Sequence, residues 1–493
     1  MRTASDLLFA VTPRLPGVSK HAWLYGEIRT AVHTGRLTPG SRLPPSRDLA
    51  RQLGVSRGTV LAALAQLVAE GYLVGAVGRG TYVSDRLPLQ RHKAGVARVA
   101  ATGAEIALSL RGAQLGRSPF PIRATSRAAR PFRPNQPDLT AFPIALWSRI
   151  AARRSRLAAR DMLAEGDAGG YRPLREAIAE HLRFTMRIDC SDEQIMIVGS
   201  VQQALDLCAR LLLDPQDEVW MEDPGYHGAL QVFRAAGARV VAVPVDREGL
   251  VVDAGLRLAP RARLAYVTAG RQSPLGVPLS LPRRMALLAW ANQRGACVIE
   301  DDYDSEFRYC GDPLAALKSL DTNGRVIRVG SFSKLLFPSL RLAYVVVPDR
   351  FADPFANALS LTARHMSLLQ QAVLHEFIAE GHFGRHLRRM RTLYGERAEA
   401  LEHAIRGRLA GRLVTLPITT GLDATAFLPS ATDDRVVARK AMAVGIESRA
   451  LSTYAIEAAA PSGLVLGFAA FDPPQIEAGI DALARVIETT GPD

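Results

Sequence analysis

The strongest constraint on this chain is a regular alternation of strand-like and helical segments between residues 195 and 347. Short apolar runs rich in Val and Ile alternate with segments whose apolar residues recur at helical spacing. The predicted strands are 195–198, 218–221, 240–245, 264–267, 297–299, 326–329 and 342–347, and the predicted helices between them are 201–213, 227–236 and 282–293. Such alternation is typical of βαβ units and a mostly parallel sheet, which binds ligands at the carboxyl ends of its strands. We therefore expect a ligand site at that edge.

The chain of 493 residues is too long for one hydrophobic core and is predicted to form several domains. Changes in residue pattern place three helices and a hairpin in 1–83, a basic linker in 84–130, a large α/β domain in 131–350, a helical connector in 351–403 and a small C-terminal α/β domain in 404–493. The linker has no sustained periodicity, and one short strand is predicted in it at 106–110.

The net charge of +13 is concentrated at the N-terminal end. Residues 1–83 carry ten Lys or Arg against four Asp or Glu, and residues 84–130 carry nine against two, so the remainder of the chain is neutral. Excess positive charge in one quarter of a chain favours a polyanionic partner for that part and small-molecule chemistry for the rest. The alternative is a solvated basic surface, and for the linker this is as plausible as contact with a nucleic-acid backbone.

Composition favours an ordinary globular protein, with 48% hydrophobic and 22% charged residues. No apolar run is long enough to span a bilayer, and residues 1–16 lack the pattern of a signal peptide. We expect a cytoplasmic protein with no membrane partner. The four cysteines, Cys190, Cys208, Cys297 and Cys310, have no C-x-x-C spacing, which favours reduced thiols over zinc ligation or disulfides.

Residues 22–83 have the pattern of a helix-turn-helix followed by a hairpin. A helix over 22–34 precedes a second helix for which Ser46 is the predicted N-cap. Gly54 then turns the chain, and Ser56 caps a third helix that runs to about residue 70. The segment 72–83 predicts a two-stranded wing.

This region resembles the winged helix of the GntR family of bacterial transcription regulators in the segments R-L-P-P-S-R-D-L-A, G-V-S-R-G-T-V and A-E-G-Y-L. The resemblance implies that operator DNA is contacted by Arg47, by Arg57 and Thr59 at the start of the recognition helix, and by Gly80 in the wing. Arginines at helix N-termini suit phosphates and can also read guanine edges.

Lys334 is the candidate nucleophile of the large domain. It follows the predicted strand 326–329 and the turn S-F-S, and it is one of only five lysines in a chain whose basic residues are otherwise arginines. Burial and a cationic neighbour, for which Arg341 is the candidate, can lower the pKa of an amine enough for it to form a Schiff base with an aldehyde cofactor. Taken alone, this motif fits a surface lysine better than a nucleophile. The choice between the two therefore depends on the companion residues found at other strand ends.

Those companions lie at other strand ends. The turn Ser200-Val201-Gln202 opens a helix, and its N–H groups can bind phosphate. Tyr226 follows a strand and can stack on a flat ring. Four acids stand among residues 300–304 after an apolar strand, which is costly unless they meet a cation. Asp301 can pair with a pyridinium N–H; metal binding is the rival interpretation, and no metal ligand is assigned.

The whole set resembles the fold type I aminotransferases, which are similar in fold to aspartate aminotransferase and use pyridoxal 5'-phosphate. Joined to a GntR-like winged helix, it resembles the MocR subfamily of regulators. The fold class implied is therefore multidomain: an N-terminal α+β winged helix, then an α/β transferase domain with a small C-terminal α/β domain. The resemblance implies the following roles: Lys334 as the internal aldimine, Asp301 at the pyridine nitrogen, Tyr303 at the ring hydroxyl, Tyr226 in stacking, and Ser331, Ser333 and Arg341 with the turn 200–202 on the phosphate.

The chain departs from this family at three places. Thr268 to Pro274 reads T-A-G-R-Q-S-P where relatives have T-P-S-H-Q-F-P, which leaves Arg271 as an unexplained charge. Leu464 stands where aminotransferases and an amino-acid-sensing relative carry the arginine that holds the substrate carboxylate, and Gly228 replaces a second arginine of that sensor. Loss of such a clamp costs about 2–5 kcal/mol of binding. Arg449 or Arg271 is able to compensate.

These observations favour a DNA-binding transcription regulator whose effector is pyridoxal 5'-phosphate or its aldimine with an amino acid or amine. We expect a homodimer. The alternatives are an aminotransferase acting on an amino acid and a DNA-architectural protein with an inert second domain.

Overall fold

The computed structural model describes residues 12–76, 80–85, 107–120, 130–157, 162, 164–311, 315–457 and 461–490. These residues belong to two compact units, which divide between residues 106 and 107.

The first unit is a winged helix-turn-helix. Its elements are α1 (Lys20–His33), α2 (Ser46–Leu53), α3 (Arg57–Ala69), β1 (Leu73–Ala76) and β2 (Gly80–Val83), the strands pairing antiparallel. The predicted turn is confirmed, since Gly54 ends α2 in the left-handed conformation, and Ser56 caps α3 by accepting a hydrogen bond from the amide of Thr59. The predicted cap at Ser46 is wrong: Ser46 is the first residue of α2, and no side chain caps that helix.

The second unit contains the remaining elements. Its helices are α4 (Leu110–Leu115), α5 (Ile144–Leu157), α6 (Arg172–Met186), α7 (Val201–Leu212), α8 (His227–Ala236), α9 (Val252–Leu258), α10 (Leu281–Arg294), α11 (Phe332–Leu335), α12 (Ala352–Thr362), α13 (Leu368–Ala379), α14 (His382–Arg408), α15 (Asp434–Ala443) and α16 (Pro473–Glu488). Its strands are β3 (Ile195–Val198), β4 (Glu218–Asp223), β5 (Arg239–Asp246), β6 (Gly249–Leu250), β7 (Leu264–Val267), β8 (Cys297–Asp302), β9 (Val326–Ser331), β10 (Ala343–Val346), β11 (Val414–Thr415), β12 (Asp423–Phe427), β13 (Arg449–Ala450) and β14 (Gly463–Gly467).

A central sheet of eight strands confirms the predicted mostly parallel α/β domain. The strand order is β3-β10-β9-β8-β7-β4-β5-β6, with β4, β5, β7, β8 and β9 parallel to their neighbours in that run and β10 antiparallel to both β3 and β9. The carboxyl ends of the parallel strands therefore lie on one edge, and that edge carries the predicted site residues.

Helices cover both faces of this sheet because its strands are apolar on both sides. On one face β3, β4 and β7 to β10 pack with α7, α8 and α12, and on the other β4, β5, β7 and β8 pack with α9 and α10. Trp220 of β4 stacks on Trp290 of α10 with ring centroids 3.9 Å apart. Four short strands in the order β11-β12-β14-β13 form a second, antiparallel sheet, against which α14, α15 and α16 pack.

Two predicted elements differ from the structure. The strand at 106–110 is wrong where it can be judged: residues 107–109 are irregular, Leu110 begins α4, and residue 106 lies outside the described part. Ser109 caps this helix by accepting from the amide of Gly112, so a side-chain hydrogen bond starts a helix where the apolar run predicted a strand. The connector 351–403 is helical as predicted, but three helices cover it, with breaks at residues 363–367 and 380–381.

None of the described helices combines the length and apolarity needed to cross a bilayer. Cys190, Cys208 and Cys297 are buried free thiols, and Cys310 is a free thiol that is exposed.

Candidate functional site

A cavity of about 310 Å³ lies at the carboxyl edge of the large sheet. Its walls come from several strand ends and from segments distant in the chain. The lining residues are Pro119, Phe120, Pro134, Asn135, Val201, Tyr226, Tyr266, Thr268, Ser273, Asp301, Tyr303, Ser331, Lys334, Arg449 and Tyr454. Six residues of the predicted cofactor set are thus brought together: Lys334, Asp301, Tyr303, Tyr226, Val201 and Ser331.

Lys334 lies in the single helical turn α11, directly after β9. Its half-buried amine faces the cavity, with Nζ 3.9 Å from the centroid of the Tyr303 ring. Removal from water lowers the pKa of Lys334, while nearby carboxylates oppose this shift; the cation that adds to the lowering is Arg271, not Arg341 as the sequence suggested. A lysine in this setting is more easily deprotonated, as a nucleophilic amine requires.

Asp301 is the acid that faces the cavity. Its Oδ2 accepts a hydrogen bond of 2.7 Å from the hydroxyl of Tyr266 on β7. Its Oδ1 is buried and has no hydrogen-bond partner among the described residues. Burial raises the pKa of Asp301 to about 6. A buried carboxylate oxygen without a donor is costly, and the N–H of a pyridinium ring in the cavity would satisfy it.

The other three acids of residues 300–304 are paired with arginines. Arg328 on β9 contacts Glu300 at 3.1 Å and also Asp302, while Arg271 contacts Asp304 at 3.2 Å. Three of the four acids that follow this apolar strand therefore have an arginine as countercharge. The described residues contain no group of three or more His, Cys, Asp or Glu side chains placed to hold a metal ion.

Tyr226 is held over the start of α8 by a hydrogen bond of 2.9 Å that Gln202 Nε2 donates to its hydroxyl. Gly228 lies beneath this pair, and a Cβ there would approach Gln202 Nε2 to 2.3 Å and the Tyr226 ring to 2.5 Å. The missing arginine at position 228 therefore has a steric reason, because any side chain would displace the tyrosine. Gln202 does not line the cavity and acts through Tyr226.

The residues predicted to bind phosphate are only partly assembled in this chain. Ser331 lines the cavity and accepts a hydrogen bond of 3.2 Å from the amide of Ser333. Ser200 caps α7 by accepting from the amide of Gln203, so the amides of residues 201 and 202 remain directed beyond the helix start. The side chain of Arg341 is exposed and lies outside the cavity. The carbonyl oxygen of Arg341 lies near Gly199, which directly precedes the turn 200–202.

Arg271 is explained by its partners. The guanidinium donates to the Tyr303 hydroxyl at 2.9 Å, to Asp304 at 3.2 Å and to the Asp423 carboxylate at 2.9 Å. It is buried among these groups and joins the large domain to β12 of the small sheet. Tyr303 is therefore anchored by Arg271, while its hydroxyl hydrogen remains available to a ring oxygen in the cavity.

Several cavity residues were missed by the sequence interpretation. Tyr266 and Thr268 lie at the end of β7, where the apolar run gave no signal for a hydrogen-bonding role. Asn135 lies in a turn and Tyr454 at the end of a short 3-10 helix, both far away in the chain. Pro119 and Phe120 belong to the segment predicted as a linker, and only the three-dimensional fold brings them to the cavity.

The predicted DNA-contacting residues lie on the first unit. Arg47 and Arg57 are exposed near the starts of α2 and α3. The hydroxyl of Thr59 is 2.8 Å from that of Ser56, so Thr59 also stabilises the cap of α3. Gly80 has φ of +107°, and a Cβ there would lie 2.9 Å from Nε of Arg42. Arg42, which the sequence interpretation missed, therefore packs against the wing where Gly80 permits close approach.

Comparison with known proteins agrees with both units. The model of the aminotransferase class I and II family matches residues 136–429, and that of the gntR family of bacterial regulatory proteins matches residues 21–83. The chain is 39% identical to the probable rhizopine catabolism regulatory protein MocR of Rhizobium meliloti, covering 96% of this chain and 94% of the relative. It is 33% identical to the pyridoxine biosynthesis transcriptional regulator PdxR of Corynebacterium glutamicum, covering 95% and 96%.

Among solved structures, the second unit is similar to LysN, the α-aminoadipate aminotransferase of Thermus thermophilus, complexed with N-(5'-phosphopyridoxyl)-L-leucine. The identity is 30% and the TM-score 0.67, over 73% of this chain and 92% of that one. The cavity fits pyridoxal 5'-phosphate, since it combines a desolvated lysine, a buried carboxylate oxygen without a donor and a helix N-terminus.

Proposed function

Since the chain belongs to the MocR subfamily of GntR-type transcription regulators, with an aminotransferase class I and II domain that binds pyridoxal 5'-phosphate, we propose that occupancy of the cofactor cavity controls operator binding. The effector is the cofactor itself or the cofactor joined to an amino acid or amine. Such control requires that the ligand bind two arrangements of the protein with different affinity.

The residues proposed to hold the cofactor divide its chemical groups among them. Lys334 supplies the amine that links to the aldehyde, Asp301 accepts from the pyridine nitrogen, and Tyr226 stacks on the ring. Ser331, Ser333 and the N-terminus of α7 bind the phosphate, with Arg341 as the further candidate. When bound, the cofactor supplies an electron sink and a reactive carbonyl carbon; the protein supplies orientation.

The observation that carries the proposal is the lining of the cavity by Pro119 and Phe120. These residues lie on the segment that continues, along the chain, from the DNA-binding unit. The same segment contains α4, which packs against α8. Arg111 of α4 contributes to this contact, since its Nε lies 3.5 Å from the carbonyl oxygen of Ala235 at the end of α8. Because α8 begins directly after Tyr226, a ligand in the cavity contacts both the ring-stacking residue and the segment that leads to the winged helix.

We also propose that the second unit forms a homodimer. Large apolar side chains remain exposed on it, among them Ile144 (62%), Leu157 (68%) and Leu361 (88%). Burial of such residues against a second copy would remove apolar surface from water. Sedimentation equilibrium of the full chain, expected to give twice the mass of one protomer, checks this.

The effector role is tested with operator DNA selected from fragments that the purified protein retains. We expect pyridoxal 5'-phosphate to change the operator affinity of the wild type in fluorescence anisotropy. Lys334→Ala is expected to abolish the cofactor absorbance band and the change in affinity together. Phe120→Ala is expected to keep the band but reduce the change, because the ligand no longer contacts the linker segment.

Phe184→Ala is the matched control, since Phe184 is 76% exposed on α6 and does not line the cavity. It should behave as the wild type. An operator affinity that is unaltered by the cofactor would contradict the proposed effector role. In that case, release of keto acid from amino acids added one at a time would support the aminotransferase alternative.

A further inference from the structure

We propose that Arg449 binds the carboxylate of an amino acid that enters the cofactor cavity and so replaces the arginine missing from β14. The inference rests on the proposed function only in that it places pyridoxal 5'-phosphate in this cavity. It names the ligand class: a primary amine that carries a carboxylate.

The register of the small sheet places Arg449 beside the vacant position. Arg449 of β13 pairs with Val465 of β14, and Ala450 pairs with Leu464. Leu464 is fully buried in the main core, whereas Val465 packs with Leu451 and Tyr454. Val465 therefore lies on the same face of the small sheet as Arg449 and Tyr454, and Leu464 lies on the opposite face, because successive residues of a strand point to opposite faces.

Directly paired residues on neighbouring antiparallel strands lie on the same face, with Cα atoms about 4.5–5.5 Å apart. A guanidinium on β13 at this register can therefore reach the space that a long side chain at position 465 would fill. Arg449 does line the cavity, as does Tyr454 next to it. The clamp is thus displaced by one strand rather than lost.

Arg449 is available to bind a ligand carboxylate, whereas the other cations near the cavity have partners or another role. Arg271 is occupied by Asp304 and Asp423, and Lys334 is the amine that links to the cofactor. Among the described residues Arg449 has no carboxylate partner; its guanidinium carbon lies 5.8 Å from the centroid of the Tyr454 ring, and Nη1 is 3.5 Å from that hydroxyl. It is the only arginine among the described residues that line the cavity.

The chemistry of this group selects the ligand. An arginine guanidinium presents parallel N–H donors that match a carboxylate in a bidentate arrangement, and it remains charged at every physiological pH. The Tyr454 ring beside it limits the orientations of the guanidinium. An amine without a carboxylate would leave this charge unpaired and gain nothing from it.

The test compares two reduced adducts that differ only in the carboxylate. These are N-(5'-phosphopyridoxyl)-L-leucine and N-(5'-phosphopyridoxyl)-3-methylbutylamine, titrated by calorimetry into the full chain freed of cofactor. The wild type is expected to bind the leucine adduct about 10-fold to 100-fold more tightly, the range of a charge-assisted hydrogen-bonded pair. Arg449→Gln is expected to remove this preference with the affinity for the amine adduct unchanged, and Arg449→Lys to keep part of it.

Arg412→Gln is the matched control, an exposed arginine of the same small domain that pairs with Glu488. It should retain the preference. Equal binding of both adducts by the wild type, or a preference that persists in Arg449→Gln, would overturn the inference and leave the effector role standing. Failure of the cofactor to alter operator affinity, with the preference intact, would instead overturn only the effector role. Binding of neither adduct would overturn both.

Discussion

At the scale of single residues, the site is defined by which charges the protein leaves without a partner. Of the four acids at 300–304, only Asp301 reaches the cavity, and one of its oxygens has no donor. Of the nearby cations, Arg271 is paired with two carboxylates, while Arg449 has no carboxylate partner in the part of the chain that the structure describes. The sequence indicated an acidic cluster and an unexplained arginine, but it could not pair them, because Arg271 and Asp304 lie on different strand ends and Asp423 lies in the small sheet.

The carboxylate of Asp301 makes the stability of the protein depend on pH, and the sign of this dependence follows from its pKa. Burial raises the pKa of Asp301 from 3.8 to about 6, so the folded protein holds this proton more tightly than the unfolded chain does. Its contribution to stability is fully present below the lower value and is lost as pH rises through the higher one. In cofactor-free protein, the free energy of unfolding of Asp301→Asn should therefore increase relative to that of the wild type, by on the order of 2–3 kcal/mol as pH rises across this window.

Thermal unfolding of both proteins at a series of pH values checks this difference. Pyridoxal 5'-phosphate is expected to reduce the wild-type deficit at neutral pH, since a ring N–H would pair with the carboxylate. A constant difference in melting temperature from pH 4 to pH 7.5 would show that Asp301 is not desolvated as described.

At the scale of elements, strands β8 and β9 are joined by a buried ion pair as well as by their backbone ladder. Arg328 on β9 is the Cα partner of Glu300 on β8, and it contacts both Glu300 and Asp302. The ladder therefore fixes where these charges meet. Apolar runs predicted both strands to within a few residues, but a buried arginine inside a Val-rich strand carried no signal of its partners.

Arg328→Met should destabilise the large domain strongly, because two buried carboxylates lose their countercharge. The expected loss is about 3–5 kcal/mol. Urea unfolding followed by tryptophan fluorescence measures it, since the stacked pair Trp220 and Trp290 lies in this domain. Arg263→Met is the control: its pair with Asp217 is exposed, and the expected change is below about 1 kcal/mol. Equal losses in the two variants would contradict a role for burial.

At the scale of the whole molecule, the net positive charge is concentrated in one part of the chain, and most of the cofactor cavity is formed by another. The excess of +13 lies in residues 1–130, while the remainder is neutral and supplies most of the residues that line the cavity. Operator binding should therefore weaken steeply with salt, because phosphate contacts release counterions, whereas cofactor binding depends on short-range contacts.

Arg57→Gln is expected to reduce the slope of log affinity for operator DNA against log salt concentration by about 1. Anisotropy titrations of the full chain at several salt concentrations measure this slope. Arg294→Gln, an exposed arginine of α10, should leave it as in the wild type. A slope unchanged by Arg57→Gln would exclude this residue as a phosphate contact.

The sequence by itself determined the order of units, most strand positions and the placement of Lys334, Asp301 and Tyr226 at strand ends, because periodicity and strand-end position are local properties. It did not reveal that Ser46 begins its helix or that a helix occupies the linker, since caps depend on single side-chain hydrogen bonds. Only the tertiary structure decided which acids are neutralised, why position 228 is glycine, and that Phe120 and Arg449 share the cavity with Lys334. Those facts arise from contacts between segments distant in the chain, and such contacts leave no pattern along it.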